Sequence, residues 1–361
     1  MLLFALTGQG WRMPALLFLG MALGAVLLLT SFGFTSAYRE FLLYRDTAGV
    51  RAQILMLALA TVLFAPVLAA GSAFGQPVSG AFAPVSVQVV AGAFMFGIGM
   101  QLAGGCGSGA LFAAGGGSAR MLIVLAFFVA GSFWASLHMS GWERLPSHGE
   151  AVLGDLLGWT WALALQLGVL AAIWAWLGRF APSRAGRLSH QGDVPRGNHE
   201  LLIGAALLAV LAFLVLLVAG HPWSITWAFA LWGAKAAMRL GWQPDDSAFW
   251  NGDFQHRALE ASLFEDVTTV TDIGIVLGAA AAAGIAGRFS PRASFSGASL
   301  AAAVIGGLAM GYGARIAYGC NIGAFFSGVA STSLHGWVWI VAALGGNAIG
   351  VRLRPYFGLK N

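Results

Sequence analysis

Long apolar runs, separated by short polar or glycine-rich connections, dominate the chain. Residues 14–37, 51–70, 85–104, 121–138, 158–178, 200–220, 268–287, 298–318 and 336–352 form such runs. Each approaches the ~17–25 residues that carry an α-helix across a hydrocarbon core. They predict an all-α polytopic membrane protein of about nine transmembrane helices. A further apolar stretch, Trp223 to Met238, follows the break at His221-Pro222 and predicts a broken or re-entrant helix, so short re-entrant helices join the expected fold. The first run follows one positive charge, Arg12, and outlasts the h-region of a secretory signal, so it reads as a retained span.

Within this pattern one segment occurs twice. Gly99 to Phe112 reads G-M-Q-L-A-G-G-C-G-S-G-A-L-F, and Gly313 to Phe326 reads G-A-R-I-A-Y-G-C-N-I-G-A-F-F. At a constant offset of 214 residues, seven of the 14 positions are identical, and the chain's two cysteines, Cys106 and Cys320, fall in register. Gly and Ala matches come cheaply in such a chain; paired cysteines do not. The spans at 51–70, 85–104 and 121–138 match 268–287, 298–318 and 336–352 in order. Span five is left as a connector. Corresponding spans lie five apart, an odd number, which reverses their direction and predicts two inverted repeats. Residues 1–140 form the first repeat, 141–199 a connector helix with a cytoplasmic loop, and 200–361 the second, all in one membrane domain. A weaker echo links Gly33-Phe34-Thr35-Ser36-Ala37 with Ser224-Ile225-Thr226-Trp227-Ala228 through Thr35/Thr226 and the alanines.

Composition agrees: 58% of residues are hydrophobic and 9% charged, against about 25% charged in a soluble domain. The net charge of +5 suggests no nucleic-acid partner, because the arginines gather in loops as the positive-inside rule expects. Arg39, Arg45 and Arg51 follow span one; Arg179, Arg184, Arg187 and Arg196 follow span five; Arg288 and Arg292 follow span seven; Arg352, Arg354 and Lys360 are in the tail. Nine spans put all of these on one side. The loop 241–266, with Asp245, Asp246, Asp253, Glu260, Glu265 and Asp266, falls on the other. The N-terminus is therefore expected outside and the C-terminus in the cytoplasm.

Each cysteine opens a glycine-rich turn after an apolar helix: Gly104-Gly105-Cys106-Gly107-Ser108-Gly109 and Gly319-Cys320-Asn321-Ile322-Gly323. Non-helical backbone at membrane depth is tolerated only where protein buries it or it lines a cavity. Breaks at corresponding points of two repeats therefore point to a binding site, and their free amides suit an anion. The bland alternatives are close helix packing for the glycines and inert burial for the thiols. Two thiols without histidine or carboxylate neighbours are too few for a metal. The absence of C-x-x-C disfavours dithiol chemistry. No cofactor is expected, and no phosphate-binding loop is present to use ATP. Arg315, five residues before Cys320, is a costly charge within a span; Gln101 is its repeat partner, and snorkelling or carboxylate pairing is the alternative. Lys235 either balances an anion or marks a helix end. Asp272, near the start of span seven, reads as interfacial. The candidate path is Cys106, Cys320, Gly105, Gly107, Gly109, Gly319, Asn321, Gly323, Arg315, Gln101, Lys235, Thr35 and Thr226.

Over most of the chain these segments resemble the YeeE/YedE family of bacterial inner-membrane transporters of sulfur compounds. The resemblance is carried by Gly104-Gly105-Cys106-Gly107-Ser108-Gly109, by Gly311-Tyr312-Gly313-Ala314-Arg315-Ile316-Ala317-Tyr318-Gly319-Cys320-Asn321-Ile322-Gly323, and by Pro222-Trp223-Ser224-Ile225-Thr226-Trp227. It implies nine membrane helices with short re-entrant helices in an hourglass of inverted halves. It also implies uptake of thiosulfate, passed along a constriction by transient S–H···S contacts, with the thiols mapping to Cys106 and Cys320. Soluble sulfur carriers often accompany the family, which implies a small cytoplasmic carrier as partner beside the anion and the lipid bilayer. The family's thiosulfate transporters carry a further cysteine on the first helix, in a Phe-Cys-Phe-Thr-Ser-Ala-like run. Here the run is Phe32-Gly33-Phe34-Thr35-Ser36-Ala37. Gly33 thus leaves room for another sulfur species or a selenium species. A membrane sulfur-transferase carrying a cysteine persulfide is the alternative from another class; the expectation is a transporter, not an enzyme.

Overall fold

Inside a bilayer no water is available to backbone amides, so each apolar run bonds its own carbonyls as a helix. The computed structural model describes residues 10–180, 198–289, 291 and 295–360. In the first half the helices are α1 (Arg12–Thr30), α2 (Phe34–Tyr44), α3 (Ala48–Ala70), α4 (Val87–Ala103), α5 (Gly107–Gly115) and α6 (Ala119–Ser136). A single long helix, α7 (Trp159–Leu177), connects the halves. The second half contains α8 (Asn198–Ala219), α9 (Thr226–Arg239), α10 (Asp253–Glu260), α11 (Val267–Ile285) and α12 (Gly297–Ile316). A π-helical turn, Asn321–Phe326, runs on into Ser327–Ala330, and α13 (Leu334–Leu353) closes the fold. Among the described residues nine segments are long and apolar enough to cross a membrane, as the hydropathy pattern predicts. Of the loop arginines, Arg184, Arg187, Arg196 and Arg292 lie outside the described residues.

Two details sharpen the reading of the apolar runs. The first run does not stay helical to residue 37. Ser31 turns left-handed, Phe32 N donates to Leu27 O at 3.1 Å and Ser31 N to Leu28 O at 3.2 Å, closing α1 before α2 begins. The stretch after His221-Pro222 is helical only over Thr226–Arg239, 14 residues. At 1.5 Å per residue that is about 21 Å, short of a ~30 Å hydrocarbon core.

Helices of one half pack on helices of the other, and the pairs are reciprocal. α1 packs on α11 while α8 packs on α3; α4 packs on α13 while α12 packs on α6; α4 and α12 also meet each other. Glycines make these approaches possible. A Cβ at Gly20, Gly24 or Gly278 would run into a carbonyl of the facing helix across the α1–α11 seam. A Cβ at Gly99 or Gly306 would do the same where α4 meets α12.

The connections gather at two ends. At one, the strand Pro84–Ser86 pairs with Ser147–Glu150, Ser79 N donates to Gly220 O, and Leu153 N donates to Thr332 O. Arg12 also donates to Val218 O there. At the other, Arg45 lies over the Phe180 ring, and Arg120 bridges the carbonyls of Ala103 and Leu102 to Ser299. Arg354 donates to Gln101 O at 2.6 Å.

Candidate functional site

The two cysteine segments fold alike. α4 ends just before Gly104 (φ 80°) and α12 ends two residues before Tyr318 (φ 60°); these left-handed residues occupy the same place in the duplicated segment. Gly319 and Gly105 then let the next helix fold back. A Cβ on Gly319 would sit 2.6 Å from the Ala324 amide nitrogen, and one on Gly105 would sit 3.4 Å from that of Ala110. Cys106 (φ −89°, ψ −167°) and Cys320 (φ −100°, ψ −165°) share one extended conformation, each as the residue just before a helix. The first-turn amides of Ser108 and Gly109 face Cys106 Sγ, and those of Ile322 and Gly323 face Cys320 Sγ. Ser108 Oγ lies 3.4 Å from Cys106 Sγ. Both thiols are buried and free.

These two helix starts meet. A methyl added to Gly107 would lie 3.3 Å from Cys320 Sγ, 3.5 Å from Ile225 Cγ2 and 3.8 Å from Phe128. The break before α9 therefore borders both cysteine turns: Ile225 touches the first and Ser224 stands over Gly323 in the second. Asn321, which follows Cys320, is fully buried, and neither its Oδ1 nor its Nδ2 has a hydrogen-bond partner. Tyr38 of α2 sits beside Cys106 with its hydroxyl against the Asn321 side chain, in a contact that does not reach hydrogen-bond geometry. Polar groups left without partners in a dry interior are costly, so this cluster is poised for a polar guest.

Two adjoining cavities lie on the side of α9. The larger, about 420 Å³, is lined by Ser224, Thr226, Trp227, Asp266, Arg315 and Tyr318 among others. The smaller, about 180 Å³, reaches Gly323 and His335 and shares His221, Ser224 and Tyr318 with the first. Arg315 is partly buried, with its guanidinium 5.0 Å from the Phe249 ring centre and 6.0 Å from that of Trp227. Its Nε is shielded and unpartnered. Asp266 is engaged already, taking Trp227 Nε1 at 2.9 Å and Thr269 N at 2.7 Å.

The candidate residues thus divide into three groups. Cys106, Gly105, Gly107, Gly109, Cys320, Gly319, Asn321 and Gly323 assemble at the junction of the two turns. Arg315 and Thr226 line the larger cavity. Gln101 and Thr35 meet elsewhere: Gln101 Nε2 donates to Thr35 O at 3.1 Å and to Asn347 Oδ1 at 2.6 Å, tying α2, α4 and α13 together. Lys235 stands apart from all three. Its ammonium donates to Leu259 O and Ala261 O at 2.7 and 2.6 Å, and burial lowers its pKa against the opposing pull of Asp266. Its role is to tie α9 to α10.

Sequence reasoning passed over two residues here, Tyr38 and His335, and did not foresee the burial of a third, Asp272. Tyr38 gave no motif. His335, buried and 2.7 Å from Ser333 Oγ through Nδ1, gave only a lone histidine. Asp272, expected near the interface, is enclosed by protein on every side, at 0% exposed. The available signal was its position after a threonine-rich turn inside an apolar run.

Nine apolar spans among the described residues, two of them interrupted where short helices turn their starts toward one another, define a multi-pass α-helical membrane protein of transporter type. The chain belongs to the sulphur transport family, whose model matches residues 29–349. It is 28% identical over 351 residues to the thiosulfate transporter TsuA of Spirochaeta thermophila, covering 92% of this chain and 96% of that protein. Probable transporters YedE of Escherichia coli and Salmonella typhimurium are 34% and 32% identical over 142 residues, 39% of this chain and 34% of each relative.

Proposed function

We propose that this protein is a permease of the bacterial inner membrane that takes up a small sulfur-containing anion, thiosulfate above others. In this reading the anion passes between Cys106 and Cys320 as neutral, non-covalent stepping stones. The observation that carries it is the meeting of the two cysteine turns, where only the space beside Gly107 separates one helix start from the other thiol. Helix starts present free amides and a positive dipole end to an anion. A thiol is a weak donor, so each contact is shallow enough for the ion to leave, as conduction requires. A neutral thiol also spares the anion the repulsion of a thiolate. The cavity beside Arg315 would gather the anion before it reaches Cys320.

The reciprocal packing of the two halves supports inverted repeats over residues 1–140 and 200–361, joined by 141–199 and related by a two-fold axis in the membrane plane. On the arginine distribution, the N-terminus would face out and the C-terminus the cytoplasm. A small sulfur carrier would then receive the anion on the cytoplasmic side.

Uptake of labelled thiosulfate by vesicles holding the protein, against sulfate, sulfite and selenite, tests the reading. Saturable thiosulfate uptake, outcompeted by none of the others, is expected. Preference for selenite would move the assignment to a selenium species, and no uptake of any would sink the permease. A stable persulfide on Cys106 or Cys320 after exposure to a sulfur donor would favour a sulfur-transferase instead.

A further inference from the structure

A carboxyl group with no partner sits in a membrane-spanning helix beside this path. Asp272, in the second turn of α11, is fully buried, and neither Oδ1 nor Oδ2 accepts a hydrogen bond. An isolated carboxylate in such a place is costly and marks a functional position by default. Its neighbours along one helix face define where it stands. Thr268, one turn earlier, lines the larger cavity; the Val276 carbonyl, one turn later, packs against Gly115 of α5. Asp272 therefore lies between the cavity and the helix that Cys106 opens.

We propose that Asp272 is a proton-binding site that couples anion uptake to proton entry, an inference that rests on the permease reading above. The charged groups on the elements packed against α11 leave the site to a proton. From α1 the only one is Arg12, bonded to the Val218 and Ala219 carbonyls; α5 carries none. The segment before α11 brings Glu265, which accepts from Ser262 N, and Asp266, capped as described. From α9 come Lys235, held by two carbonyls, and Arg239. The turns bring Cys106 and Cys320, uncharged as thiols. A divalent cation would want further carboxylates beside Asp272, and no group of three or more His, Cys, Asp or Glu gathers among the described residues.

Coupling follows from charge. An ionised Asp272 repels an anion resting at Cys320, and a protonated one does not. Anion and proton therefore favour each other's binding, and by linkage the effect is reciprocal. An inside-negative potential of about 100 mV opposes accumulation roughly 50-fold per negative charge. A proton carried inward with the anion offsets one such factor and adds the pH gradient to the drive.

The test uses the full-length protein in proteoliposomes, with labelled thiosulfate as probe and a pH dye inside. An inward proton gradient should raise thiosulfate accumulation about ten-fold per pH unit for each proton carried, and thiosulfate entry should acidify the lumen. Asp272→Asn should bring the ratio of accumulation with and without the gradient close to one, and Asp272→Glu should restore part of it. Wild-type accumulation indifferent to the proton gradient, stimulation by sodium in its place, or a wild-type ratio in Asp272→Asn would overturn the inference. Failure of the wild type to move thiosulfate at all counts against the permease. Infrared spectroscopy of the same preparation then decides Asp272 alone: a titrating carboxyl band absent from Asp272→Asn, or shifted in Asp272→Glu should the first variant not fold, supports proton binding. Spectra identical to wild type overturn it.

Discussion

Replacing Arg315 by Gln, the residue at the matching position 101, removes the positive charge from the larger cavity while keeping a polar side chain of similar length. An anion at the centre of a cavity of about 420 Å³ would lie ~6 Å from the guanidinium, where one unit charge contributes about 0.7 kcal/mol at the dielectric of water and about 2.8 at an effective value of 20. Arg315 is only partly buried, so solvent screening places the expected effect in the middle of that range, ~1.4 kcal/mol or about ten-fold in affinity per unit of anion charge. For thiosulfate, Arg315→Gln should therefore raise KM for uptake by at least about ten-fold and flatten its dependence on ionic strength, while Arg315→Lys keeps most of both. Initial rates of labelled uptake in proteoliposomes at low and high salt measure this directly. A wild-type KM with unchanged salt dependence in Arg315→Gln would show that the anion never senses this charge, and the cavity would not be its approach.

Four further substitutions probe the junction and its scaffold. Gly107→Ala puts a methyl 3.3 Å from Cys320 Sγ, so the fold should persist while uptake falls about ten-fold; Gly109→Ala, 3.7 Å from Cys106 Sγ, should cost less, and equal rates in both would contradict a path between the thiols. Gln166 Nε2 donates to Thr61 Oγ1 at 2.8 Å and Val329 O at 2.6 Å, so Gln166→Leu should destabilise by about 1–3 kcal/mol, read as a lower thermal midpoint in detergent; an unchanged midpoint would count against that bridge. Gly278→Val drives a side chain into the Met21 carbonyl and should cost about 3 kcal/mol or more through overpacking. Monodisperse protein at the wild-type yield would refute the tight α1–α11 seam.

Hydropathy alone located nine spans because a bilayer leaves helices few alternatives, and the duplicated Gly-Cys phrase located both turns. Their meeting was foreshadowed by the odd spacing of matching spans. What stayed hidden depends on faces rather than on runs. Asp272 sits near a helix start, where hydropathy suggests an interface, yet Gly20 and Gly274 bring α1 and α11 so close that its face is sealed inside the bundle. Lys235 looked free to meet an anion until α10 folded back to offer two carbonyls. The break at Ser31 is a backbone closure after an unbroken leucine run, with only Gly33 in the sequence to mark it. Gln101 and Arg315 match in the repeat but serve unlike surroundings, one locked into a hydrogen-bonded belt and the other facing a cavity.

The central claim is that Cys106 and Cys320 hand the anion on as neutral thiols, and the double variant Cys106→Ser/Cys320→Ser tests it most directly. Serine keeps the hydroxyl-for-thiol shape at both helix starts but removes the polarisable sulfur, so the protein should reconstitute normally while saturable thiosulfate uptake drops to the level of empty vesicles. Uptake at the wild-type rate and KM in that variant, at equal protein per vesicle, would show that the thiols are packing and the path lies elsewhere.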